Sequence, residues 1–279
     1  MAFFAPCYSI IERIAKRNGK TRTIALVHNM IPHEPSILDK LFAPLYVRST
    51  DGFVALSESV VQDIDHLDRN NKPKTSYPHP IYDHYGEQMS KEEACQALNL
   101  NPENQYMLFF GLVRAYKGLD LLLEAWARWM PTDRKLLIAG EFYASREKYI
   151  ALIERLGLQD RVVLHDRFIA DDDVKYYFSA ADCLVLPYRT ATQSGVTQIA
   201  YNFSLPMIVT RVGGLPEIVP DGRVGLVCEP DADSIAAAMQ QIYSGDTLSA
   251  MRENFAVERK RFSWATMCDK LEEVYNLSK

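Results

Sequence analysis

Apolar positions follow two alternating patterns along the chain, one with the length and spacing of strands and one with the spacing of helices. Residues 23–29 (TIALVHN) and 51–57 (DGFVALS) are short apolar runs that end in polar residues. The second run leads into a segment with helical spacing, for which Ser57 or Ser59 is a suitable N-cap. Strand runs that alternate with helical segments predict an α/β fold with parallel sheets.

The alternation continues after residue 105 and is more regular there. The strands predicted in this part are 106–113, 134–140, 161–168, 182–188, 206–212 and 224–230. The predicted helices are 119–129, 145–156, 171–181, 195–203, 231–244, 246–261 and 264–277, with a turn at 213–220. Five or six parallel strands are enough for a complete, doubly wound Rossmann-like sheet.

The front of the chain yields fewer elements. We predict an amphipathic helix at 8–16, two strands before residue 75, and an inter-domain connection at 72–86, where prolines and aromatics follow no period. Two strands cannot bury both faces of a sheet, so the first domain is expected to be partial. Its open edge and the helix at 8–16 favour self-association, and a peripheral contact with a membrane surface is the less favoured alternative.

Composition narrows the function classes. The 279 residues are 48% hydrophobic and 24% charged, with a formal net charge of -5, which disfavours nucleic acid as a partner. The five cysteines are scattered and never in CxxC spacing, so neither a disulfide framework nor a metal site is expected. No apolar run approaches the roughly 20 residues of a membrane span. These features are typical of a cytoplasmic protein, with the inner face of the membrane as a further option.

Two stretches carry candidate chemistry. In 111–120 (GLVRAYKGLD), Gly111 lets a ligand approach the backbone, and Arg114 and Lys117 offer two cations suited to a diphosphate. In 188–219, TQSG leaves backbone amides free at a helix start, and Gly213 and Gly214 are free to adopt positive φ. A solvated loop with two incidental cations is the alternative interpretation of the first stretch.

The residues from 105 to the end resemble the donor-binding domain of family 4 glycosyltransferases, which have the two-domain GT-B architecture. The resemblance rests on GLVRAYKGLDLLLEA at 111–125, on Ala-Ala-Asp-x-x-x-x-Pro at 180–187 and on P-x-I-V-x-x-x-G-G-x-P-E at 206–217. The last segment, FSW at 262–264 followed by Tyr275, looks like the final helix of this family, which folds back onto the first domain. VHNMIPHEP at 27–35 is a weaker match to the strand that lines the sugar cleft.

The resemblance implies a GT-B-like fold with a partial N-terminal domain at 1–83, a C-terminal nucleotide-sugar-binding domain at 84–262, and a last helix at 263–279. It implies transfer of a sugar from a nucleotide-sugar to a glycan or lipid-linked acceptor with retention of configuration, without a metal or other cofactor. Arg114 and Lys117 would stabilise the departing diphosphate, and His28 would lie near the donor sugar. Further donor contacts would be Gly111, Glu141, Phe168, Ile169, Gln193, Ser194, Gly195 and Val196. Acceptor contacts would be Asn29, His33 and Glu34, although His33 and Glu34 could equally form a surface pair.

Two departures leave a second function open. Many family members carry two glutamates at the positions of Ala191 and Ile199, and Gln193 and Gln198 are the nearest polar substitutes. Family members also begin with a Gly-rich loop that this sequence does not show. A catalytically silent nucleotide-sugar-binding module is therefore the alternative to a transferase. A two-domain epimerase lacks matching carboxylates, and a nicotinamide dehydrogenase lacks G-x-G-x-x-G after any predicted strand.

Overall fold

The computed structural model describes residues 5–31, 37–143 and 146–278, with backbone alone for 37–40. The chain divides into two compact units. The first comprises Met1–Pro80 together with Arg261–Lys279, and the second comprises Ile81–Lys260.

The first unit is built on a parallel sheet in the order β1-β2-β3. Its strands are β1 (Ile24–Val27), β2 (Gly52–Ala55) and β3 (Lys74–Ser76), and its helices are α1 (Ala5–Ala15), α2 (Ile37–Ser49), α3 (Glu58–Leu67) and α12 (Trp264–Leu277). Because side chains alternate along a strand, β2 buries Phe53 and Ala55 on the face that α3 covers, and Val54 on the face that α12 covers. Both faces of this sheet are thus packed.

Two elements of the first unit differ from the sequence prediction. β3 lies inside the segment predicted to be a connection, and α2 was not predicted. β3 has only three residues and lies between Pro73 and Pro78, so no alternating pattern can reveal it. It forms by pairing with β2, and just after it the Tyr77 N–H donates to the Ala55 carbonyl at 2.9 Å. Pro44 lies inside α2 and argues against a helix when only the sequence is considered.

Helix α1 packs with its polar side inward. Glu12 accepts hydrogen bonds from Ser49 and Thr50, and Lys16 pairs with Asp51 at 3.0 Å. The isoleucines of the other face, Ile10, Ile11 and Ile14, are 58%, 60% and 55% exposed. The predicted amphipathic helix is present; its inward side combines these polar contacts with the buried Ala5 and a ring contact between Tyr8 and Tyr46 at 6.2 Å, whereas its isoleucines lie outward.

The second unit contains a six-stranded parallel sheet in the order β6-β5-β4-β7-β8-β9. The strands are β4 (Gln105–Phe110), β5 (Arg134–Ala139), β6 (Val162–His165), β7 (Cys183–Leu186), β8 (Met207–Thr210) and β9 (Gly225–Cys228). The helices are α4 (Lys91–Ala97), α5 (Leu119–Trp129), α6 (Arg146–Arg155), α7 (Asp171–Ala180), α8 (Gly195–Asn202), α9 (Leu215–Ile218), α10 (Ala232–Ile242) and α11 (Thr247–Glu258). This strand order is that of a doubly wound Rossmann-like domain, and the predicted α/β class is confirmed.

The core of this unit lies between the sheet and helices α5 and α10. Trp126 of α5 is fully buried, together with Ile138 of β5 and Met239 of α10. The apolar spacing that predicted α5 is therefore the spacing of its buried face. The segment predicted as a turn at 213–220 holds the one-turn helix α9, whose Pro216 suits a first helical turn.

Asp182, part of the Ala-Ala-Asp motif, fastens the start of the sheet. Its carboxylate accepts from the Tyr106 N–H at 2.7 Å and pairs with Lys91 at 2.8 Å. These contacts lie at the amino end of β4 and β7, so this motif residue has a structural role.

Candidate functional site

The site is built where the strand order of the larger sheet reverses. β4 and β7 are hydrogen-bonded neighbours at the centre of the sheet, and β5 and β8 extend from them in opposite directions. In open α/β sheets, ligands bind at the carboxyl ends of the strands at such a point. The loops that begin at Gly111 and Pro187 leave this edge, and they carry the residues singled out from the sequence.

The absence of a side chain at Gly111 leaves room for the Lys117 ammonium at the end of β4. Gly111 has φ +96, and a Cβ there would lie 3.1 Å from the Lys117 Nζ, so the ammonium lies directly against the end of β4. The ammonium is also 5.7 Å from the centroid of the Tyr188 ring. A side chain at position 111 would be strained and would crowd the charge.

Lys117 is a half-buried cation, and no described residue supplies it with a counter-ion. Burial, and then the charge of Arg114, lower the pKa of Lys117 to about 8. Within the part of the chain that the structure describes, no carboxylate pairs with Lys117 or Arg114. Arg189 of the neighbouring loop contrasts with them, since it makes a two-point contact with Asp120 at 2.6 and 3.1 Å. An unpaired, partly desolvated ammonium is a site for an anion.

Two adjoining cavities open beside Lys117, and Phe110 and Tyr85 line both of them. The larger, of about 370 Å³, is lined by Tyr82, Tyr85, Phe110, Tyr116, Lys117, Tyr188, Gln193, Ser194, Gly195, Val196 and Ile199. The smaller, of about 190 Å³, is lined by Tyr85, Phe110, Gly111, Leu112, Gly140, Glu141, Phe168, Ile169, Asp171 and Val174. The larger has a cation and backbone amides in its wall, and the smaller has aromatic and aliphatic side chains together with the carboxylates of Glu141 and Asp171.

The amino end of α8 contributes to the larger cavity. The first N–H groups of a helix have no partner within the helix, and those of Gly195 and Val196 belong to this set. Ser194 is buried and its hydroxyl lies 3.1 Å from that of Tyr188. A Cβ at position 195 would lie 3.1 Å from the Tyr82 ring, so the ring would have to shift slightly to admit a side chain there.

The glycine pair at 213–214 shapes the loop that leads to α8. Gly213 has φ +49, and a Cβ there would lie 1.5 Å from the Ala191 carbonyl oxygen. The Gly214 N–H donates to the Thr192 carbonyl at 3.0 Å. Of the two glycines that were free to adopt positive φ, Gly213 does so, and Gly214 has φ -83. The pair acts as support for 191–193.

The structure brings most of the predicted donor contacts to these two cavities. Gly111, Lys117, Glu141, Phe168, Ile169, Gln193, Ser194, Gly195 and Val196 all line one of them. Arg114 lines neither; its guanidinium lies 4.1 Å from the centroid of the exposed Tyr143 ring. The aromatics Tyr82, Tyr85, Phe110 and Tyr116 were missed. The aromatic run at 82–85 was visible in the sequence but was interpreted as connection.

The remaining predicted residues lie elsewhere in the chain. His28 and Asn29 follow β1 in the first unit, where the His28 ring lies 5.7 Å from that of His79. Burial, and then the charge of His79, lower the pKa of His28. His33 and Glu34 lie outside the described residues.

The two positions where the family resemblance implies glutamates, Ala191 and Ile199, are apolar and enclosed. Ala191 and Ile199 are 8% and 5% exposed. Of the two polar substitutes, Gln193 lines the larger cavity. Gln198 is fully buried, and its side-chain amide has no hydrogen-bond partner among the described residues. Gln193 is therefore the substitute that a ligand in this cavity can reach.

The sequence profile described as glycosyl transferases group 1 matches residues 104–245, slightly more than half of the chain. The chain belongs to this family. It is 31% identical over 199 residues to the D-inositol 3-phosphate glycosyltransferase of Corynebacterium diphtheriae, covering 68% of this chain and 46% of that protein. The same-named protein of Mycobacterium marinum is 29% identical over 195 residues, covering 66% of this chain and 41% of that protein. The chain thus spans about half the length of the curated relatives it matches.

Solved structures agree on the fold. Sucrose-phosphate synthase from Thermosynechococcus elongatus superposes with a TM-score of 0.79 at 19% identity, covering 96% of this chain and 70% of that chain. HepE from Anabaena, in complex with UDP, superposes with a TM-score of 0.80 at 18% identity, covering 98% of this chain and 76% of that chain. These likenesses confirm the predicted GT-B-like fold. No described helix has the length and apolar character to cross a membrane.

Proposed function

We propose that this chain binds a nucleotide-sugar in the two cavities beside Lys117, with the diphosphate in the larger one, and serves in transfer of the sugar to a glycan or lipid-linked acceptor with retention of configuration. The observation that carries the proposal is the ammonium of Lys117, which lies against the end of β4 in the wall of a cavity and pairs with no described carboxylate. Membership of the glycosyl transferases group 1 family supports the reaction class.

Charge stabilisation would supply the chemistry. When the bond between the sugar and the diphosphate breaks, negative charge develops on the phosphate oxygens. Lys117 and the backbone amides of Gly195 and Val196 line the same cavity and would stabilise that charge. Arg114 would add a second cation. In this proposal the leaving group is stabilised by these groups alone, without a metal ion.

The smaller cavity would hold the nucleoside. Phe168 offers a ring that is 70% exposed, and Ile169 lies beside it in the same wall. The Glu141 carboxylate would accept from ribose hydroxyls, and Gln193 would contact the donor where relatives use a glutamate. HepE was solved with UDP and with UDP-glucose, so uridine nucleotides are the first to test.

His28 and Asn29 are the proposed contacts for the sugar and the acceptor. Burial lowers the pKa of His28 and favours a neutral imidazole at neutral pH, which can both donate and accept a hydrogen bond. His33 and Glu34 complete the proposed acceptor set.

A nucleotide-sugar-binding module without turnover is the second candidate. It is favoured by the enclosed, apolar Ala191 and Ile199, which leave no carboxylate at the two family positions.

A donor panel separates the two candidates. The purified chain is incubated with UDP-, GDP- and ADP-sugars and a mixture of glycan acceptors. Binding is measured by calorimetry, and a coupled assay measures the nucleoside diphosphate that is released when the sugar passes to an acceptor or to water. Binding with release supports a transferase, and binding without release supports the module. Absence of binding to every member of the panel would contradict both.

A further inference from the structure

We propose that Tyr143 is a positioning residue that holds the Arg114 guanidinium at the diphosphate-binding edge of the larger sheet. The inference rests on the proposed function and adds to it a residue outside the family motifs. Its basis is the contact between the Arg114 guanidinium and the face of the Tyr143 ring, at 4.1 Å from the centroid. That distance is well within the range of a cation–π interaction.

Backbone hydrogen bonds fix the relative position of the two residues. The Val113 N–H donates to the Glu141 carbonyl at 2.9 Å, and the Tyr143 N–H donates to the Val113 carbonyl at 3.2 Å. Val113 and Phe142 form a parallel bridge, which extends the pairing of β4 with β5 past the strand ends. The ring therefore does not meet Arg114 by chance, because the register of the two central strands delivers it there.

The contact with the Tyr143 ring restricts the rotamers of the Arg114 side chain. Arg114 is the N-cap of the one-turn 3-10 helix Ala115–Lys117, and no described carboxylate pairs with this arginine. A long side chain without a partner samples many rotamers, and ordering it on a ligand costs binding free energy. The Tyr143 ring restricts those rotamers without neutralising the charge, as a carboxylate would.

The Arg114 guanidinium that Tyr143 contacts acts electrostatically on Lys117. Arg114 is the N-cap residue of the turn that ends at Lys117, and its charge contributes to the lowered pKa of Lys117. Tyr143 itself is 68% exposed and contributes little to the core. Its ring would act through Arg114, without touching the donor.

The test is a double-mutant cycle with UDP as the ligand and calorimetry as the readout. We expect Tyr143→Ala to weaken UDP binding by about 2- to 5-fold, the size of an exposed cation–π contact. Tyr143→Phe keeps the ring face and should bind like the wild type. In an Arg114→Ala background, Tyr143→Ala should cause no further loss.

A matched control accounts for loss of a partly exposed tyrosine that has a cation over its ring. Tyr176 also carries a cation over its ring, that of Lys175 at 5.2 Å, and it lines neither cavity. Tyr176→Ala should leave UDP affinity unchanged, and thermal melts should show that all variants fold.

The outcomes separate this inference from the proposed function. Unchanged or tighter binding in Tyr143→Ala, or an equal loss with and without Arg114, would overturn the positioning role. If Arg114→Ala weakens binding and Tyr143→Ala does not, only the inference fails. If neither Arg114→Ala nor Lys117→Ala affects UDP binding, the proposed function fails.

Discussion

The charged side chain of Lys117 should lower the stability of the folded protein, so Lys117→Met should have a higher free energy of unfolding than the wild type. Methionine keeps a long unbranched side chain and removes a charge that no described carboxylate pairs with. If the ammonium is retained for an anion rather than for the fold, its removal should raise stability and abolish tight binding of a diphosphate.

The magnitude follows from the pKa of Lys117, which falls from 10.5 to about 8. One pKa unit corresponds to about 1.4 kcal/mol, so the folded state bears a cost of up to about 3 kcal/mol for the charged form. Below pH 8 the side chain is charged in both states and the full cost applies. Between pH 8 and 10.5 the unfolded chain binds more protons, so the stability of the wild type rises with pH. Above that range no cost remains.

The assay is urea unfolding of the wild type and Lys117→Met at pH 7 and pH 10. The variant should gain up to about 3 kcal/mol at pH 7, and most of that gain should disappear at pH 10. Lys148→Met is the control, because Lys148 is 61% exposed and its replacement should change stability by less than about 0.5 kcal/mol. A Lys117→Met variant that is less stable at pH 7, or whose gain is independent of pH, would refute the reasoning.

Three further predictions follow from the same geometry. UDP affinity should fall about tenfold between pH 7 and pH 9 as Lys117 loses its proton, and a flat calorimetric profile would be inconsistent with its role. Gly213→Ala should lower the free energy of unfolding by more than about 2 kcal/mol, because the new Cβ would lie 1.5 Å from the Ala191 carbonyl oxygen. Gly222 also has positive φ but open space around it, so Gly222→Ala should lower the free energy of unfolding by only about 1 kcal/mol. Equal shifts of the melting temperature in the two variants would argue against the supporting role of Gly213. The chain should self-associate through Ile10, Ile11 and Ile14 of α1, and the triple serine variant should reduce its mass in light scattering; a monodisperse wild type at high concentration would contradict this.

The larger sheet could be predicted from the sequence because its strands are apolar runs bounded by polar loops and its helices have clear spacing. The cationic loop could be predicted too, since Arg114 and Lys117 are three residues apart and follow a strand end directly. Contacts that depend on the pairing register of segments distant in the chain could not be predicted from the sequence. Tyr143 reaches Arg114 only through the pairing of β4 with β5, and β3 exists only through its pairing with β2. Residues 82–85 have no period, and only the fold reveals Tyr82 beside Gly195.

The central claim is that Lys117 and Arg114 together hold a diphosphate at the carboxyl edge of the larger sheet. The most direct measurement is calorimetric titration of UDP into the wild type, the Arg114→Ala/Lys117→Ala double variant and the exposed control Lys148→Ala. Loss of two charge-assisted contacts should weaken binding by at least about 100-fold in the double variant, while the control binds like the wild type. UDP affinity that survives in the double variant would contradict the account.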